Sequence, residues 1–174
     1  MVKLAVIGTG GMANNHAQNF SKMNNCTLVA GCDIDAEKVG AFCEKHGIDE
    51  VYTDYGKMLT EVDCDAVTIV TPDAFHHSIA LDAIKAGKHV LCEKPLAMKY
   101  EEAAEMSDAA NEAGVINMVN FSYRNSSAIQ KAAQLAAAGE LGVVRHAYAY
   151  YLQSWLAQDA WGFWETDPKW LWRL

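Results

Sequence analysis

Short apolar runs alternate with helix-periodic stretches from the start of the chain to about residue 120. Lys3–Ile7, Thr27–Cys32, Ala66–Val70 and His89–Cys92 are apolar, β-branched in part, and of the length of buried strands. Val51–Thr53 and Val115–Val119 are shorter runs of the same kind. Between them, Asn14–Met23, Ala36–His46, Tyr55–Val62, Ser78–Ala86 and Tyr100–Ala113 read as helices, and Gly47, Gly87 and Gly114 stand where three of them stop. Strand and helix alternating in this way predict an α/β fold, a doubly wound parallel sheet covered on both faces.

Beyond Asn120 the pattern changes. Phe121–Ser127 is a polar loop, Ala128–Ala138 an alanine-rich helix stopped by Gly139, and Val143–Gln153 a long β-prone run. All five tryptophans then fall between positions 155 and 172. The reading divides the chain into a first domain, residues 1–121, and the opening of a second, incomplete α+β domain, residues 122–174. A β-prone run and a tryptophan-rich tail with so little partner surface predict either self-association or a poorly ordered tail.

The chemistry starts at the end of the first strand. Gly8, Gly10 and Ala13 stand in a G-x-G-x-x-A spacing between Lys3–Ile7 and the first helix. Strand, glycine turn and helix in that order are what a dinucleotide pyrophosphate needs. Gly8 permits the tight turn, Gly10 lets backbone approach the phosphates, and Ala13 lets the helix pack near the strand. Thr9, Gly11 and Met12 complete the turn. Asp33, 20 residues after Ala13, closes the second strand, with Ile34 next to it. A carboxylate there accepts hydrogen bonds from ribose hydroxyls and repels a 2′-phosphate, which favours NAD over NADP. Its other role would be to cap the following helix, for which Asp35 is better placed. Thr71-Pro72 and Glu93-Lys94-Pro95 end two further strands. In parallel sheets ligands bind off the carboxyl ends of the strands, so these four stretches converge on one edge.

Composition narrows the class. The 174 residues are 51% hydrophobic and 21% charged, as in soluble globular chains, and the net charge of −8 argues against nucleic acid or an anionic membrane as partner. Five cysteines, with no C-x-x-C pair and several in apolar runs, read as buried reduced thiols in a reducing cytoplasm and not as a metal site. The opening apolar run is too short for a signal peptide, and no run has the length of a membrane span.

With these residues in hand, VIGTGGMA, the end of TLVAGCDID, TIVTPDAFHHSIALDAIKAGKHVLCEKPLA and VNFSYRNSSAI resemble a family of NAD(P)-dependent oxidoreductases. That family is named after glucose-fructose oxidoreductase, inositol dehydrogenase and the rhizopine-catabolism protein MocA. The EKP segment is the specific part, because TP and His76 precede it at the family's spacing. The resemblance implies a Rossmann domain followed by an α/β domain that carries substrate residues and subunit contacts, hence a homo-oligomer formed through the second domain. It implies that Lys94 acts in chemistry, hydrogen-bonding a substrate hydroxyl, where the residues alone would sooner read as a surface lysine. Glu93 would hold Lys94 or touch the ribose, and the bond before Pro95 would be cis. Thr71, Pro72 and His76 would line the cofactor cleft, His76 in binding and not in proton transfer. Arg124, Trp172 and Arg173 are similar to residues near the nicotinamide or the substrate. The family's acid/base group would lie beyond residue 174. The expected activity is NAD-dependent oxidation of a sugar, polyol or related hydroxyl compound. An NAD-dependent glycosidase and a non-enzymatic dinucleotide-sensing regulator are the alternatives.

Overall fold

In the computed structural model, residues 1–152 are described. They form two compact units, one spanning Met1–Ser126 and a second beginning at Ser127. The first is a layered α/β unit. In chain order it comprises β1 (Val2–Ile7), α1 (Gly11–Phe20), β2 (Cys26–Cys32), α2 (Ala36–His46), β3 (Glu50–Tyr52) and α3 (Tyr55–Glu61), then β4 (Ala66–Ile69), α4 (His76–Lys85), β5 (His89–Cys92), α5 (Tyr100–Ala113) and β6 (Asn117–Val119). The strands make a six-stranded parallel sheet in the order β3-β2-β1-β4-β5-β6. That is the doubly wound order of dinucleotide-binding sheets, with the reversal of direction between β1 and β4.

The period-two alternation of β1 divides the core. Ala5 and Ile7 face one side, where Met58, Val67, Ile69, Ile79, Ala83 and Met106 bring in α3, α4 and α5. Val6 faces the other, packed with Ala13 and Ala17 of α1 and Val39, Phe42 and Cys43 of α2. Both faces of the central strand are thus dry, which is why the run Leu4–Ile7 is apolar throughout. Local chemistry sets the helix ends. Asp35 caps α2 by accepting from the Lys38 N–H, as its position suggested, and Asp54 caps α3 through the Lys57 N–H.

Several boundaries differ from the sequence expectation. Helix α1 begins at Gly11 and not at Asn14, because Gly11, Met12 and Ala13 already belong to its first turn. Helix α4 begins at His76, two residues early, preceded by a 3-10 turn at Asp73–Phe75. The loop after β6 holds another 3-10 turn, Ser122–Asn125, which groups with the first unit. In the second unit, α6 spans Ser127–Ala137. The run expected to be a strand from Val143 is not one over residues 143–152. β-propensity needs a neighbouring strand to satisfy its backbone, and no described residue offers one to this run. Gln153 onward, including Trp172 and Arg173, lies outside the described residues.

All five cysteines are free thiols, four of them buried. Burial, with the Asp33 carboxylate beside it, pushes Cys32 up to about 12; burial, with Glu93 beside it, does the same for Cys92. Among the described residues no helix is long and apolar enough to cross a membrane.

Candidate functional site

The carboxyl edge of the sheet gathers the chemistry-bearing residues of the first unit. At the end of β1, Gly8 has φ +88 and is buried. A Cβ there would stand 2.7 Å from the backbone of Val70 and Thr71, so both the left-handed turn and the approach of the β4 end require glycine. Gly10 then caps α1 with no side-chain bond to the first turn, and no acidic residue lies in that turn. The leading N–H groups of a helix have no intrahelical partner and carry the positive end of its dipole.

Asp33, at the end of β2, is tied into this turn. Its Oδ2 accepts from the Thr9 N–H at 2.8 Å and from the Thr9 hydroxyl at 3.0 Å, while Oδ1 accepts from the Asp35 N–H at 3.1 Å. Thr9 is buried and Ile34 fully exposed beside it. The carboxylate is therefore oriented before any ligand arrives. The first cation after it, Lys38, is engaged with Asp35 at 2.9 Å.

At the ends of β4 and β5, His76 is buried and bridges two turns. One ring nitrogen lies 2.8 Å from the Pro95 carbonyl oxygen and the other 2.9 Å from that of Thr71. His76 thus pins the Thr71-Pro72 turn to the Glu93-Lys94-Pro95 turn. The Lys94–Pro95 bond is cis. Lys94, Pro72, Met12, Gly10 and Gly11 are exposed along this edge. Arg124 sits on the exposed turn after β6. His77, to which no role was attached, meets Glu105 at 2.8 Å and links α4 to α5.

Sequence reasoning missed a buried polar cluster beneath Lys94. The Glu93 Oε1 lies 2.9 Å from His16 Nε2 and accepts from Asn120 Nδ2 at 2.6 Å, and Oε2 accepts from the Lys94 N–H at 3.1 Å. The other His16 nitrogen, Nδ1, is 2.8 Å from the Thr68 hydroxyl. Burial alone would push the Glu93 carboxyl up. The bonds from His16, Asn120 and the Lys94 amide outweigh it and hold the group at about 2, ionised. One signal in the sequence pointed here: His16 falls on the same helical face as Ala13 and Ala17, an inward position where an imidazole needs a partner. Thr68 gave no such signal, being one more β-branched residue in a buried strand.

A pyrophosphate-bridged dinucleotide fits this edge on three counts. A Cβ built at Gly10 or Gly11 would meet no protein atom within 4 Å, so the space before the turn is open. The helix start there carries no side-chain cap. The Thr71 hydroxyl is buried next to the Gly8 turn with no partner among the described residues.

The profile of an oxidoreductase family with an NAD-binding Rossmann fold matches residues 2–121. The chain belongs to the Gfo/Idh/MocA oxidoreductases. Among curated members of that family, the D-glucoside 3-dehydrogenase of Escherichia coli is 36% identical over 144 residues, covering 82% of this chain and 41% of its own length. The 1,5-anhydro-D-fructose reductase of Ensifer adhaerens is 35% identical over 155 residues, covering 87% of this chain and 46% of its own. The scyllo-inositol dehydrogenase of Lactobacillus casei, solved with NAD(H) and scyllo-inositol bound, superposes with a TM-score of 0.77 at 28% identity, over 82% of this chain and 42% of that one. The chain thus spans less than half the length of these relatives.

Proposed function

We propose that this chain provides the NAD-binding part of an enzyme that moves a hydride between a carbon of a sugar or polyol and nicotinamide. The observation that carries the reading is the meeting, on one sheet edge, of an uncapped helix start, an oriented Asp33 and the Lys94 turn. The relatives named as dehydrogenases and reductases of sugars and inositols support the substrate class.

In this reading the leading N–H groups of α1 hold the pyrophosphate, as helix starts hold anions. Asp33 accepts from the adenosine ribose hydroxyls with the lone pairs that Thr9 and Asp35 leave. An NADP 2′-phosphate would meet that carboxylate, and Lys38 is already drawn to Asp35. Thr71 offers a hydroxyl to the cofactor, and Arg124 serves the nicotinamide end or the substrate. Bound NAD supplies a two-electron acceptor. Lys94 donates an N–H to the substrate hydroxyl oxygen and stabilises the negative charge that develops there as the C–H bond breaks. An ammonium has no lone pair, so the hydroxyl proton goes to a separate base.

Calorimetric titration tests the cofactor half. NAD should bind at least tenfold tighter than NADP, about 1.4 kcal/mol, and Asp33→Ser should narrow the gap. Equal affinities in the unmodified chain would refute it. Release of NADH on a panel of sugars and polyols, by an enzyme that joins this NAD-binding part to the separate base, tests the chemical half. Lys94→Met should abolish that rate while NAD affinity stays near its original value, and the 174-residue chain by itself should turn over at well under about a hundredth of that rate. Steady cleavage of a nitrophenyl glycoside without net NADH would instead indicate a glycosidase.

A further inference from the structure

The polar cluster under the Lys94 turn joins parts of the first unit that are far apart in sequence. It draws on four elements: His16 from α1, Thr68 from β4, Glu93 at the end of β5 and Asn120 at the end of β6. His16, Thr68 and Glu93 are each at most 6% exposed. Burying a carboxylate is costly, and a well-packed apolar filling of similar volume often stabilises as well or better. What an apolar filling cannot supply is direction. Here the two carboxylate oxygens divide their work: Oε1 takes the bonds from His16 and Asn120, and Oε2 takes the backbone N–H of Lys94.

The donors are fixed by the chemistry. An ionised carboxylate only accepts, so His16 carries a proton on Nε2, and the Asn120 amide presents its NH₂ to the same oxygen. The 3.2 Å approach between Asn120 Nδ2 and His16 Nε2 is therefore two donors sharing one acceptor and not a third bond. The Thr68 hydroxyl, able to donate or accept, satisfies His16 Nδ1 in either charge state of the ring.

We propose that His16 and Asn120 are positioning residues for Lys94, acting through Glu93, whose carboxylate they orient so that it holds the Lys94 backbone in one place. The role rests on the reading of Lys94 as the group that meets the substrate hydroxyl. It also joins the two halves of the cofactor cleft: α1 carries both the open glycine turn and His16, so the phosphate-facing helix and the Lys94 turn are registered against each other.

Amide hydrogen exchange by NMR on the 174-residue chain tests this. In Asn120→Ala and in His16→Leu, the Lys94 amide should exchange at least tenfold faster. The Val70 amide, bonded to Ile7, and the Val90 amide, bonded to Ile116, should keep their protection. His16→Gln, whose side-chain amide can still donate to Glu93, should restore most of the Lys94 protection. A binding split accompanies it: both variants should bind ADP-ribose as the unmodified chain does, while the extra affinity of NAD over ADP-ribose falls several-fold. Unchanged Lys94 exchange in Asn120→Ala and His16→Leu overturns the positioning role. So does acceleration of Val70 and Val90 equal to that of Lys94, which would mark general loosening. Failure of the unmodified chain to bind NAD overturns the functional reading and not this one.

Discussion

Glu93 is held in its ionised form by the fold. Its carboxyl, ordinarily near 4.5, is held at about 2, so ionisation of Glu93 stabilises the folded chain above its ordinary value and ceases to as pH falls through the folded value. The contribution is on the order of 3 kcal/mol, lost between about pH 4.5 and about 2. His16 is the titratable group that faces it. Urea midpoints followed across that range should fall in the unmodified chain and fall less in Glu93→Gln, which starts lower because its amide faces the donors His16 and Asn120. Parallel curves would count against the cluster. Gly8 is constrained as tightly by sterics. Gly8→Ala places a methyl 2.7 Å from backbone that cannot turn aside, at a positive φ, and should cost roughly 1–3 kcal/mol for the strain alone. NAD affinity should fall with it. The role of Gly8 was legible in its spacing from Gly10 and Ala13. The role of His76 was legible only as to place, because its partners are the carbonyls of Pro95 and Thr71, and no sequence pattern encodes contacts to backbone oxygen.

Helix α2 and strand β2 show how an element's seat is set by one missing side chain. A Cβ at Gly31 would lie 2.5 Å from the Cys43 sulfur, so the helix rests on the strand where the glycine leaves room. Gly31→Ala should overpack this face and cost roughly 1–3 kcal/mol, and adding Cys43→Ala should recover part of it. Thermal melts of the single and double variants check the coupling; additive losses would dismiss it. The strands and helices of the first unit were readable because hydrophobic period and capping agreed, as at Asp35 and Asp54. Their ends were less so. The start of α1 lay hidden in glycines that read as turn, and the start of α4 in a His pair that read as loop. Residues 143–152 were read as strand from propensity alone, which does not state a partner.

At the scale of the molecule, the sheet order could be expected from alternation and right-handed crossovers, whereas the cluster joining α1, β4, β5 and β6 depends on contacts far apart in sequence. The segment from Val143 to Leu152 exposes Val143, Tyr148, Tyr150 and Leu152. Apolar surface of that kind drives association, so light scattering on the 174-residue chain should report a mass that rises with concentration; a constant monomer mass would refute it. The free thiols have a consequence of another sort. Cys43 is buried on the α1–α2 side of the sheet, and Cys32, Cys64 and Cys92 on the other. A thiol reacts as thiolate, and burial holds all four above their ordinary range. Alkylation therefore waits for the layer above each sulfur to lift. Cys26, only half-buried, should label first, and the rates at Cys43 and at the opposite three should then clock the opening of each layer separately. A chain with sulfur sealed on both sides of its sheet carries a stopwatch for each face.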